Sequence, residues 1–257
     1  RYTELIHAGY WGGAIAVPIN HRLAAPEILH ILEDADCRAL ALGKPFLNLT
    51  DTAELAPWRD QTIYLGPPDD EISQPQYEAL LSAAPSAPQC PVDEDDLAIL
   101  LYTGGTTGRS KGVQLSHKNV HSNGMQMAIA MGAVPTDIYL HAAPMFHAAD
   151  LLSTGFTLVG AAHCYLPVFT PTASLEVIQK YRVTATMKAP TMIIMNLTNS
   201  RFEEYDTSSL RIMLYGSSPM AAEWVQKSIE GFPHTQIVQG YGLTETSPIL
   251  TYLGWDI

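Results

Sequence analysis

From residue 97 onward, short apolar runs alternate with stretches in which apolar residues recur at helical spacing. The pattern opens with Leu-Ala-Ile-Leu-Leu-Tyr-Thr over 97–103, an uninterrupted apolar run of the length of a buried strand. Further strands are predicted over 137–142, 163–167, 183–187, 210–215 and 235–239. Between them, helical patterns cover 149–160, 173–181, 190–199 and 220–230. Ser116 is placed to cap a helix running to about Gly132. Strands alternating with helices of this length predict an α/β fold, with layered, mostly parallel sheets and flanking helices.

The first part of the chain is less regular. Arg-Tyr-Thr-Glu-Leu-Ile-His-Ala-Gly-Tyr reads as a helix already under way, followed by a short buried strand over 13–19. A helix is predicted over 25–36, with Pro26 at its first turn and Ile28, Leu29, Ile31 and Leu32 along one face. Strands are expected within 38–42 and 61–66. Residues 66–96 are rich in Pro, Asp and Ser and read as a connection around a helix near 75–84. The chain is therefore divided into a first α/β portion, 1–96, and a second, 97–257.

Composition narrows the partners. With 257 residues, 47% hydrophobic and 16% charged, the chain can bury a sizeable core. A formal net charge of -12 argues against nucleic acid, whose phosphates need a basic face. Cys37, Cys90 and Cys164 are widely spaced, contain no CxxC pair and read as reduced thiols. No apolar run approaches the ~18 residues of a membrane span. These features predict a cytoplasmic protein without a transmembrane segment, and they leave a homo-oligomer open.

Four stretches carry candidate chemistry. The first, Tyr-Thr-Gly-Gly-Thr-Thr-Gly-Arg-Ser-Lys-Gly-Val over 102–113, follows a buried strand. Its spacing is not that of a Walker loop, because Ser110 precedes Lys111 and Gly112 follows it. The chemistry still fits a polyphosphate. Gly104, Gly105 and Gly108 let backbone N–H groups approach an anion, Thr106 and Thr107 add hydroxyls, and Lys111 adds a point charge. In the second, a strand ends in Gly240-Tyr241-Gly242, followed by Leu243, Thr244 and Glu245. Tyr241 offers a flat face to a base, Thr244 a hydroxyl to a phosphate oxygen, and Glu245 a hard oxygen to Mg²⁺. The third is a strand end at Tyr215-Gly216-Ser217-Ser218, in the region where α/β sheets bind ligands. The fourth places His147 after Pro144-Met145-Phe146. Taken singly, the first also reads as a flexible glycine-rich loop without ligand, the second as a polar turn and the fourth as a structural histidine.

Together and in this order, the four resemble the adenylate-forming superfamily of acyl-CoA synthetases, luciferases and peptide-synthetase adenylation domains. Residues 102–113 look like its phosphate-loop signature, and Tyr-Gly-Leu-Thr-Glu-Thr-Ser-Pro over 241–248 like its Tyr-Gly-x-Thr-Glu signature. Residues 215–220 are similar to its adenine-side strand end, and 144–147 to its acyl-pocket segment. Gly104 stands where Ser is common, and Ser110 where Pro is common.

The resemblance implies part of the large N-terminal domain of such an enzyme. The acid and ATP would form an acyl-adenylate and pyrophosphate, and a thiol, usually of coenzyme A, would displace AMP. Thr103, Gly104, Gly105, Thr106, Thr107, Gly108 and Lys111 would hold the β- and γ-phosphates. Gly216, Ser217 and Ser218 would flank the adenine opposite Tyr241, on the strand carrying Gln239, Gly240 and Gly242. Thr244 would bond the α-phosphate, Glu245 would hold Mg²⁺, and His147 would stand between the acyl pocket and the reacting carboxylate.

Amino-acid-activating relatives place an Asp after the Phe of the fourth stretch. His147 occupies that position here and Asp150 falls three residues later, out of register, so a fatty or other non-amino acid is expected. Met187, Met192 and Met195 are candidate pocket linings or plain core. The family's ribose-binding Asp, hinge Arg and C-terminal Lys lie far downstream of the Tyr-Gly-x-Thr-Glu motif, whereas Ile257 follows Glu245 by twelve residues. The expectation is a truncated piece carrying part of the site and inactive alone. A luciferase-like or peptide-synthetase module and a non-catalytic nucleotide-binding protein are the competing readings.

Overall fold

A computed structural model describes residues 1–104 and 108–254. The chain forms two compact units, Arg1–His117 and Lys118–Ile257. The division falls after the segment that the sequence assigns to the opening of the second portion. Backbone pairing explains this: the Ala16 amide donates to Ala98 O (3.2 Å), and the Leu100 amide donates to Ala16 O (2.9 Å).

The first unit contains helices α1 (Tyr2–Gly12), α2 (Ala25–Asp34) and α3 (Tyr77–Ala83). Its parallel strands β1 (Leu40–Leu42) and β2 (Thr62–Tyr64) pair with each other. The α2 stripe behaves as its spacing dictates: Ile28, Ile31 and Leu32 are buried, and Ile28 and Leu32 pack with Leu40 and Leu55. The strand expected over 13–19 shrinks to a single bridge, Ala16 to Ile99. Pro18, which has no N–H to donate, sits inside that segment and limits its pairing.

Strand β3 (Leu97–Thr103) runs where expected, but β4 (Lys111–Ser116) does not appear in the sequence reading. The two form an antiparallel hairpin in which Thr103 faces Lys111 and Tyr102 faces Gly112. The glycine-rich stretch therefore connects two strands. Tyr102 Oη donates to Asp34 Oδ2 at 2.6 Å, tying the hairpin to the end of α2.

Among the described residues of the second unit, six strands form one sheet in the order β10-β9-β8-β7-β5-β6. They are β5 (Ile138–His141), β6 (Ala162–Tyr165), β7 (Ala185–Lys188), β8 (Ile212–Tyr215), β9 (Gln236–Gly242) and β10 (Ile249–Leu253). Pairing is parallel from β9 to β6, and β10 adds an antiparallel edge that the sequence reading omits. Helices α4 (His117–Ala130), α5 (Thr154–Leu158), α6 (Pro171–Tyr181), α7 (Pro190–Leu197) and α8 (Ala222–Gly231) supply the flanking layers. α6 starts where Thr170 Oγ1 accepts from the Ala173 amide (3.1 Å) and Pro171 takes the first helical position.

The strands are apolar on both faces because both are covered. On β8, Met213 and Tyr215 belong to one cluster with Leu175, Ile178 and Phe232, whereas Ile212 and Leu214 belong to another with Met127, Tyr139 and Phe156. Truncating Leu214, which is fully buried, to Ala would cost about 2–5 kcal/mol. One buried carboxylate joins the amino ends of three strands. Asp137 accepts from Arg211 Nε (2.8 Å), Thr184 Oγ1 (2.7 Å) and the Val134 amide (2.9 Å). Burial alone would raise its proton affinity, but these bonds overcome that and hold the carboxyl below its ordinary range.

Candidate functional site

The hairpin end is open. Thr103 and Lys111 stand opposite each other at the last rungs of the ladder, and Lys111 is exposed. Among the described residues, no heavy atom lies within 4 Å of a Cβ placed on Gly104 or on Gly108, and Gly108 has φ +143°. An anion can therefore reach the backbone at both glycines. Gly112 is different: its Cβ position lies 3.1 Å from Leu100 Cγ and from Tyr102 Cζ, so here Gly serves packing. Gly105, Thr106 and Thr107 lie outside the described residues.

In the second unit the remaining candidates follow the carboxyl ends of parallel strands, the edge where α/β sheets bind ligands. Tyr215 pairs in register with Gln239, so Gly216 and Gly240 follow one another out of adjacent strands. A Cβ on Gly216 would lie 2.7 Å from Gly240 O, which makes any side chain at 216 incompatible with this spacing. Ser217 turns the chain away with φ 68°, and Ser217 and Ser218 are exposed. Tyr241 leaves 57% of its surface to solvent, unusually open for an aromatic residue at a strand end.

Past Tyr241 the turn is built by hydrogen bonds. Gly242 lies so close to Pro248 that a Cβ would fall 1.7 Å from Pro248 O. Thr246 Oγ1 accepts from the Leu243 amide and donates to Leu243 O or Pro248 O, each at 2.9 Å. This braces the single helical turn Thr244–Thr246, which carries the partly exposed Thr244 and the exposed Glu245.

His147 is exposed and caps the turn Ala148–Ser153, with its amide donating to Pro144 O at 3.1 Å and its carbonyl accepting from the Asp150 amide at 2.9 Å. The three methionines do not form one stripe. Met187 and Met192 are buried in different core clusters, and Met195 is 46% exposed.

Two polar clusters escape the sequence reading. Asp150 Oδ1 lies 2.6 Å from His141 Nδ1, His141 Nε2 lies 2.8 Å from His163 Nδ1, and His163 Nε2 lies 3.1 Å from Thr157 Oγ1. Tyr165 stacks on His141 at 4.7 Å and 14°. The available signal was the alternation Tyr139-His141 and His163-Tyr165, which puts all four rings on one face of paired strands. The second cluster is Lys188, fully buried at the end of β7. Its Nζ donates to Ser174 Oγ (2.9 Å) and Asn196 Oδ1 (2.6 Å), and burial pushes its ammonium down to about 7. Among the described residues, no group of three or more His, Cys, Asp or Glu is arranged to hold a metal. Nor is any helix long and apolar enough to cross a membrane.

Comparison with known proteins identifies the family and agrees with the fold. The family model described as AMP-binding enzyme matches residues 1–257. A feruloyl-CoA synthase from Amycolatopsis sp is 32% identical over 249 residues, covering 96% of this chain and 48% of the relative. The long-chain-fatty-acid–CoA ligase FadD13 of Mycobacterium tuberculosis is 33% identical over 237 residues, covering 91% and 46%. The chain thus spans about half the length of the curated relatives it matches. Among solved structures, the inhibitor-bound N-terminal domain of FACL13 from Mycobacterium tuberculosis superposes with TM-score 0.84 at 29% identity, covering 99% of this chain and 63% of that one. ATP-bound MatB from Rhodopseudomonas palustris gives 0.82 at 28%, covering 98% and 49%. A match along the whole chain, with the fold in agreement, has one meaning: the chain belongs to the AMP-binding enzyme family.

Proposed function

We propose that this chain carries part of the site at which a carboxylic acid is activated by ATP to an acyl-adenylate, for transfer to coenzyme A. The observation that carries the reading is the strand-end arrangement in the second unit. Gly216 lies against the Gly240 carbonyl, with Tyr241 exposed in the next position, which leaves backbone and an aromatic face for a nucleotide base. Relatives named feruloyl-CoA synthase and long-chain-fatty-acid–CoA ligase support an acyl-CoA product.

In this reading each group positions or neutralises, and the substrate carboxylate is itself the nucleophile at phosphorus. Lys111, with Thr103, Gly104, Gly105, Thr106, Thr107 and Gly108, receives the β- and γ-phosphates. The open space over Gly104 and Gly108 fits that role, because no described residue there blocks an anion from the amides. Gly216, Ser217, Ser218, Gln239, Gly240, Tyr241 and Gly242 form the nucleoside side, and Thr244 bonds the α-phosphate. Glu245, exposed on a braced turn, fits a Mg²⁺ whose other ligands are phosphate oxygens and water, the usual division for that ion. His147 faces the acyl side. Asp150 already accepts from His141, so its carboxylate is not waiting for a substrate ammonium, and this supports an acid without an α-amino group.

The test separates nucleotide recognition from catalysis. Calorimetric titration of the chain with ATP and with AMP, both with Mg²⁺, should show binding of each. Lys111→Ala should weaken ATP by about tenfold or more, the scale of one charge-assisted contact, while leaving AMP nearly unchanged. Equal loss for both nucleotides would remove Lys111 from the phosphate site. Pyrophosphate release with a panel of fatty and aromatic acids, followed by mass detection of coenzyme A thioesters, then tests turnover. Little pyrophosphate release is expected from a chain that carries only part of the site, and release at ~1 s⁻¹ or more would refute the role assignments.

A further inference from the structure

The cluster around His141 takes no part in the roles above, yet its protons can be counted. A carboxylate only accepts, so His141 Nδ1 donates to Asp150 Oδ1 across 2.6 Å. With one proton per ring, His141 Nε2 is then an acceptor and takes the Nδ1 proton of His163 at 2.8 Å. His163 Nε2 is then an acceptor too and takes the Thr157 hydroxyl proton at 3.1 Å, in preference to the longer 3.3 Å contact of that hydroxyl with Ser153 O. One tautomer at each ring satisfies every member, and the chain runs in a single direction from Thr157 to Asp150.

The anchors of this chain matter more than its length. His141 ends β5, His163 lies in β6, Thr157 lies in α5, and Asp150 lies in the turn Ala148–Ser153. His141 is buried at 2% exposure and stacked by Tyr165, so the sheet end of the chain is fixed. Asp150 is held twice: its side chain bonds the sheet, and its amide donates to His147 O at 2.9 Å. The backbone of His147 is thereby fastened to β5 through one residue.

We propose that Asp150, His141 and His163 are positioning residues that hold the His147 backbone against the sheet, so that the exposed His147 ring projects from a fixed point toward its substrate. The orientation of the ring toward an acyl substrate rests on the function proposed above; the fastening itself does not.

Nuclear magnetic resonance on the ¹⁵N-histidine-labelled chain reads the fastening directly. Both His141 and His163 should carry the proton on Nδ1, with Nε2 unprotonated, and an Nε2–H tautomer at either ring would overturn the chain. Amide hydrogen exchange then tests its effect. Asp150→Ala should speed exchange over residues 145–153 by about tenfold or more, as expected for loss of a hydrogen bond to a charged group. Exchange over 212–215 and 236–239 should stay as it is. Asp150→Asn keeps an acceptor for His141 and should restore most of the protection. Unchanged exchange over 145–153 in Asp150→Ala refutes the proposal. If that variant does not fold, the tautomers and Thr157→Val, which should loosen His163 while Nδ1 stays protonated, decide the matter. Where pyrophosphate release is measurable, Asp150→Ala should raise KM for the acid and leave KM for ATP in place. Absence of ATP binding by the unmodified chain would count against the functional reading, while tautomers and exchange still judge the fastening.

Discussion

Replacing Lys188 by Met should change how stability depends on pH, and the size follows from the buried amine. The residue is fully enclosed, its two acceptors, Ser174 Oγ and Asn196 Oδ1, are neutral, and no carboxylate pairs with it. The buried residues of α6 and α7 that surround it include no titratable side chain. Its folded-state pKa, about 7, lies below the 10.5 of an exposed lysine. Because the folded value is depressed and the charged form is the acid, the unfolded chain holds more protons between pH 7 and 10.5. Stability contributed at this position therefore rises with pH through that window, by about 1.4 kcal/mol per pH unit. Below pH 7 the charging penalty is fully present. Lys188→Met has no such group, so its stability relative to the parent should fall by roughly 2 kcal/mol between pH 7 and 9, a little under the full slope because the folded amine is still half-charged at pH 7. Urea unfolding of both proteins at pH 6, 7, 8 and 9, followed by far-ultraviolet circular dichroism, measures that difference, and titrations common to both cancel. A difference that stays constant from pH 7 to 9 would mean that Lys188 titrates alike in both states, and the reasoning would fail.

Two further perturbations probe the frame of the site. Gly242→Ala forces a methyl onto Pro248 O, so the turn must move; a loss of about 2–3 kcal/mol in urea unfolding and weaker ATP binding by calorimetry are expected. Arg211→Met strips the Asp137 carboxylate of its guanidinium and should cost about 2–3 kcal/mol at pH 7, discounted for the partial exposure of Arg211. Asp137 has a lowered folded pKa, so its contribution is present above the ordinary carboxylate value and is lost as pH falls through the folded one. The gap between Arg211→Met and the parent should therefore narrow in acid, as thermal melts at pH 7 and pH 3 would show.

What the sequence discloses depends on how local the cause is. The parallel strands and most helices of the second unit were legible because their apolar runs and helical stripes are local signals; β8, for example, is a continuous run of Ile, Met, Leu and Tyr. Strand β4 was missed because Lys-Gly-Val-Gln-Leu-Ser carries only Val113 and Leu115 at period two, too short a pattern to separate from a loop. The same shortage hid β10, whose pairing with β9 shifts register between Ile249 and Thr251. Gly216 was legible as a site residue, but its reason, the Gly240 carbonyl at 2.7 Å, needed a neighbouring strand. The His141 cluster and the Lys188 cage join residues from neighbouring elements, and apart from the alternation of rings on β5 and β6 the chain order does not say which of them meet, because that depends on strand pairing and helix packing.

The Asp137 junction has a consequence for how the sheet forms. Its partners, Val134, Thr184 and Arg211, come from the approaches to β5, β7 and β8, and each pairing must wait for an intervening helix to close the loop. A partly assembled sheet that had docked β5 on β7 without β8 would bury the carboxylate with its one charged partner, Arg211, missing. Such a species is penalised relative to both the open chain and the finished sheet. The junction therefore couples β5, β7 and β8, so that docking any two of them is favourable only when the third is in place.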